Sequence, residues 1–90
     1  MNVLLVEDDV ALGDAVASYL GVKGFAIDRA VSLQQAREAV AESTWDAVLL
    51  DLHLPDGDGL SLIPAVRERS AAASIIVLTA RDHVTDRIRG

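Results

Sequence analysis

Short apolar runs alternate along this chain with stretches of helical period, and that alternation limits the fold more than any other feature. The runs are Val3–Val6, Phe25–Ala30, Trp45–Leu50 and Ser74–Leu78. Runs of this length suit strands buried on both faces of a parallel sheet. Leu12, Val16, Tyr19 and Leu20 recur at helical spacing, and Gly21 and Gly24 are expected to end that helix. Ser32 with Gln35 forms a capping box, which opens a helix through Ala36, Ala39 and Val40. His53–Gly59 reads as a turn, with Pro55, Gly57 and Gly59. The next helix spans roughly Leu60–Arg69 and starts near Ser61, so that Pro64 falls in its first turn. A last helix is expected from near Asp82 to Gly90. This order predicts an α/β domain with a parallel, doubly wound sheet. A chain of 90 residues makes one such domain, residues 1–90.

Tyr19, Phe25 and Trp45 are the only aromatic residues, so the core must be aliphatic. Trp45 is expected to cap that core beneath the third strand. The formal charge of −6 disfavours nucleic acid as a direct partner, since phosphate backbones call for clustered Lys and Arg. Arg67, Arg69, Arg87 and Arg89 read as surface charge. There is no cysteine, which excludes disulfides and thiolate metal sites. The start of the chain has no basic lead and only a short apolar run, so it is neither a signal peptide nor a membrane span. A cytoplasmic location is expected.

Ligands of doubly wound sheets bind outside the carboxyl ends of the strands, where strand order reverses. Glu7, Asp8 and Asp9 follow the first strand, Asp51 the third and Thr79 the fourth. Carboxylates converging there repel, and their pKa values rise unless a cation neutralises them. Oxygen donors without a His/Cys set favour a hard ion, magnesium above all. A carboxylate can also attack phosphorus and form an aspartyl-phosphate. Asp51 is the candidate acceptor, and the Thr79 hydroxyl and the Ala80 N–H are candidate donors to the phosphoryl oxygens. Taken alone, the acidic cluster would be only a solvated helix start; its convergence with Asp51 and Thr79 favours a pocket. Asp9 is assigned to capping. Asp56 and Asp58, with Gly57 and Gly59, read as turn chemistry. A calcium loop fails here, because Leu54 and Ala65 occupy its first and last ligand positions. The His53 and His83 side chains read as incidental. No Gly-x-Gly-x-x-Gly follows the first strand, which argues against a dinucleotide site.

The strand Val3-Leu4-Leu5-Val6 running into Glu7-Asp8-Asp9, the segment from Leu50-Asp51 through Leu54-Pro55-Asp56-Gly57-Asp58-Gly59-Leu60, and Thr79-Ala80-Arg81 follow one another in a familiar order. Together they resemble a response-regulator receiver domain of the OmpR/PhoB type, and the resemblance covers the whole chain. It implies a flavodoxin-like fold with strand order 2-1-3-4-5, an order known for this class of sheet. It implies Asp51 as phosphoacceptor, Asp8 as a direct magnesium ligand and Glu7 as an acidic partner acting through water. It also implies His53 as the donor of a backbone carbonyl to magnesium, and Thr79 as the switch hydroxyl. The donor would be a phosphohistidine on a sensor histidine kinase, and the output transcriptional, through a winged-helix DNA-binding domain beyond this chain. The role is that of a signalling acceptor, not an enzyme.

Receivers have five strands and five helices, whereas this chain offers four strands and the start of a fourth helix. It is expected to stop before the last strand and helix. The family's lysine after strand five has no counterpart, since Lys23 is the only lysine and lies before the second strand. The fourth strand is then expected to be an open edge and part of the first helix's packing surface bare, inviting a homodimer or strand-edge association. Two alternatives remain: a receiver-like scaffold that no longer accepts phosphate, and an aspartyl-phosphate phosphatase. The second wants an aspartate two residues after the nucleophile, where this chain has His53.

Overall fold

The computed structural model describes residues 1–78. Five segments form the frame: β1 (Asn2–Val6), α1 (Val10–Val22), β2 (Ala26–Ala30), α2 (Leu33–Glu42) and β3 (Ala47–Leu50). A small hairpin follows, made of β4 (His53–Leu54) and β5 (Gly57–Asp58). A 3-10 turn over Gly59–Leu62 then leads into α3 (Ile63–Arg69), and β6 (Ser74–Val77) completes the sheet. The sheet is four-stranded, in the order β2-β1-β3-β6. All its pairings are parallel.

Successive side chains of a strand point to opposite faces, and β1 shows what that does here. Leu4 and Val6 face one side with Val48 and Leu50, where Leu33, Ala36 and Val40 of α2 and Leu62 and Val66 cover them. Val3 and Leu5 face the other side with Leu49, against Val16, Ala17 and Leu20 of α1. The central strands are apolar from Val3 to Val6 and from Ala47 to Leu50 because both faces are covered.

Several boundaries differ from the sequence expectation, each for a local reason. Gly21 does not end α1: it lies in the helix's last turn, and Lys23 is the C-cap. The turn beyond is a Schellman motif. Gly24 N–H donates to Gly21 O at 3.0 Å and Phe25 N–H to Leu20 O at 3.2 Å. Gly24 supplies the positive φ of 95° that this motif requires. Phe25 is therefore tied to the helix, and β2 begins one residue later. Trp45 likewise precedes β3, because its backbone N–H donates to Ser70 Oγ at 2.9 Å and its indole N–H to Ala39 O at 3.2 Å. It is buried in the core, as expected. The turn expected over His53–Gly59 contains the β4–β5 hairpin. Pro64 stands in the first turn of α3, preceded by the 3-10 turn. Arg67 is more than surface charge: its guanidinium donates to Ala71 O and Ala73 O beyond the end of α3.

Among the described residues β6 pairs with β3 alone. No helix there is long and apolar enough to cross a membrane. The helix expected from Asp82 lies outside the described residues.

Candidate functional site

The β1–β3 register places Val6 opposite Leu50. The next residue of each strand is an acid, so Glu7 and Asp51 leave the sheet side by side. Both remain on the ladder: Glu7 N–H donates to Ala30 O at 3.0 Å and Asp51 N–H to Val6 O at 2.9 Å. Their side chains are accordingly buried, Glu7 at 2% and Asp51 at 0% exposure. Asp8, one residue on, is exposed. One carboxylate oxygen from each of Glu7, Asp8 and Asp51 lies within 4.8 Å of the others. The structure thus brings together three of the residues singled out from sequence.

Asp9 stands apart as the N-cap of α1, where its carboxylate accepts from Leu12 N–H at 3.0 Å. Its own N–H donates to Glu7 Oε2 at 3.1 Å. One Asp51 oxygen, Oδ1, accepts from His53 N–H at 3.1 Å. The His53 side chain is exposed, and its backbone belongs to the hairpin. Beside the cluster runs an open groove of about 460 Å³ whose lining includes Asp8, His53 and Asp58. Leu78 N–H donates to Leu50 O at 2.8 Å, which brings β6 level with the acidic end of β3. Thr79 and Ala80, the expected hydrogen-bond donors, lie outside the described residues.

The electrostatics follow from burial. Removal from water pushes the Glu7 carboxyl up to about 7, aided by a side-chain hydrogen bond and charge repulsion from Asp51, while the Asp9 N–H opposes the rise. Two buried carboxyl groups beside a third crowd acidic oxygens into one pocket. All its side-chain donors are oxygens, so the donor set fits a hard divalent cation whose charge would offset the repulsion. Lys23 cannot supply that charge, as it caps the far end of α1.

Two contributors were missed from sequence. A Cβ placed on Gly59 would stand 2.4 Å from Asp51 O, so the backbone can pack against the acceptor residue only if position 59 has no side chain. Gly59 N–H also donates to Leu52 O at 2.8 Å. The Asp-Gly pair signalled a turn, but the close approach depends on distance and no sequence pattern shows it. Asp56 lies in the turn of the hairpin, as its sequence suggests, and its carboxylate also accepts from the first two amides of α2, Leu33 N–H at 2.7 Å and Gln34 N–H at 2.9 Å.

A family model described as the response regulator receiver domain matches residues 3–90. The transcriptional regulatory protein QseB of Escherichia coli O157:H7 is 38% identical over 90 residues, which is 100% of this chain and 41% of that protein. The chain spans about two fifths of the length of the curated relatives it matches. A response regulator from Burkholderia pseudomallei, solved with a phosphorylated aspartic acid, calcium ion and citrate, superposes with a TM-score of 0.83 at 25% identity. That match covers 98% of this chain and 54% of that one. The response regulator TrrA of Thermotoga maritima, solved in complex with Mg2+-BeF, gives a TM-score of 0.81 at 28% identity and covers 94% and 74%.

Proposed function

This chain belongs to the response regulator receiver domain family, with its flavodoxin-like fold, and we propose that it takes a phosphoryl group onto Asp51 from a phosphohistidine of a sensor histidine kinase. The observation that carries the reading is the placement of Asp51. It is a buried carboxylate at a strand's carboxyl end, clustered with Glu7 and Asp8, with one oxygen held by a backbone N–H. In the transfer, an Asp51 oxygen attacks phosphorus in line, and the phosphorus–nitrogen bond of the donor breaks. The bonding pair leaves with the imidazole, and an acyl phosphate forms.

The His53 N–H fixes the orientation of the carboxylate. Asp8, Asp51 and the His53 carbonyl are the proposed direct ligands of magnesium, with Glu7 acting through water. Magnesium, when bound, neutralises charge on the phosphoryl oxygens. The Thr79 hydroxyl and the Ala80 N–H are assigned as donors to those oxygens, with Thr79 as the switch group. The rest of the reading extends beyond these residues: a cytoplasmic regulator whose DNA-binding domain follows residues 1–90, working as a signalling acceptor without turnover of its own. The β6 edge is proposed as a surface for association with a second copy.

Intact mass after incubation with magnesium and a small acyl phosphate tests the reading. One phosphoryl adduct is expected on the unmodified chain and none on Asp51→Asn. An adduct on both would place the acceptor elsewhere. No adduct on a chain that still unfolds cooperatively would leave the scaffold reading.

A further inference from the structure

The β4–β5 hairpin carries the amide that holds Asp51, yet it is only a two-stranded ribbon with two paired positions. Such a ribbon has little stability of its own. Its order must come from what it is fastened to. The fastening is at its tip. Both oxygens of Asp56 accept from the first amides of α2, Leu33 N–H and Gln34 N–H. Those two bonds hold the Asp56 carboxyl below its usual range.

Two further contacts act at the same joint. Gly57 adopts a φ of 155°, and a Cβ there would stand 2.8 Å from a Leu33 methyl. Leu54 is buried in the same core cluster as Leu33. The α2 helix already has its own cap, since Ser32 Oγ accepts from Gln35 N–H at 3.2 Å. Ser32 therefore serves the helix alone, whereas Asp56 serves the helix and the hairpin together.

We propose that Asp56 is a positioning residue for the acceptor: by tying the hairpin tip to the start of α2, it holds the His53 N–H on Asp51 Oδ1 and so fixes the orientation of the carboxylate. This rests on the phosphoacceptor reading above. Displacements well below the size of a side chain are enough to slow a positioned reaction. An exposed carboxylate twenty-odd residues from its partners in sequence thus acts on the reacting group through one backbone amide.

The test compares Asp56→Ala with Ser32→Ala in the 90-residue chain, since each removes a cap from α2 and only the first frees the hairpin. Two quantities are read: amide exchange at His53, and the rate of adduct formation with a small acyl phosphate and magnesium. Losing two hydrogen bonds to a charged acceptor should speed His53 exchange about tenfold in Asp56→Ala and slow adduct formation by a similar factor. Ser32→Ala should leave both within about twofold, and Asp56→Asn, which keeps one acceptor oxygen, should fall between. Equal loss in Asp56→Ala and Ser32→Ala would reduce the effect to helix capping and overturn the proposal. Unchanged His53 exchange in Asp56→Ala would also overturn it. If the unmutated chain takes no adduct, the phosphoacceptor reading fails, while His53 exchange still decides the positioning.

Discussion

Glu7 shows how burial and neighbours set the chemistry of one residue. Its carboxyl goes from 4.5 in water to about 7 in the fold. Below the lower value both the folded and unfolded chains hold the proton, so pH has no effect through this group. Between the two values the unfolded chain ionises first, which favours unfolding. Stability should therefore fall as pH rises from about 4.5 to about 7 and level off above. The loss is on the order of 3 kcal/mol if magnesium is withheld. Urea denaturation at pH 5 and pH 8 in chelator measures it. Glu7→Gln should remove most of the difference, and a difference that persists in that variant would place its origin elsewhere. Glu7, Asp8 and Asp51 were legible in sequence because each follows an apolar run that could only be a strand. The joint roles of Asp56 and Gly59 were not legible, since both depend on residues brought close by the fold.

Elements were legible in kind and less so in extent. Apolar runs announced the strands, but a run does not show which of its residues bond outside the ladder. Phe25 belongs to the Schellman turn and Trp45 to the contacts at Ser70 and Ala39, so both strands start later than their apolar runs. Two glycines near the end of α1 looked equivalent, and the backbone separates them. Gly24 has a positive φ, while Gly21 is helical with no atom near its missing Cβ. Gly21→Ala should stabilise the chain by up to about 1 kcal/mol, whereas Gly24→Ala should destabilise it by a similar amount. Thermal or urea unfolding of the pair checks the opposite signs. Equal effects would mean that α1 ends where the sequence alone suggested.

The two faces of the whole sheet are unequal among the described residues. One carries a cluster of buried residues from α2, α3, three strands of the sheet and the hairpin strand β4, and the other carries Val3, Leu5 and Leu49 beneath α1 alone. Leu4 is fully buried in the first cluster and Leu20 only partly in the second. Leu4→Ala should cost about 2–5 kcal/mol, and Leu20→Ala clearly less. Equal losses in urea denaturation would mean that the second face is as well packed as the first. The parallel sheet and its helices could be anticipated from the alternation of runs. A bare packing surface on the first helix was also to be expected, but which residues fill each face was not, because that depends on how the helices settle on the sheet.

The acids occupy the first positions past β1 and β3, and both stay on the ladder. A one-residue slip in a strand turns every side chain to the opposite face. An inserted or deleted codon within 3–7 or 47–51 would thus turn one acid to the α2 side of the sheet and disperse the cluster, even if the chain still folded. The same change at the opposite end of the sheet, in the turns at 23–25 or 43–46, leaves the acids where they are. A change of length should therefore cost the site more at the end of the sheet that carries the acids than in the turns where the strands begin, where its cost falls on stability instead.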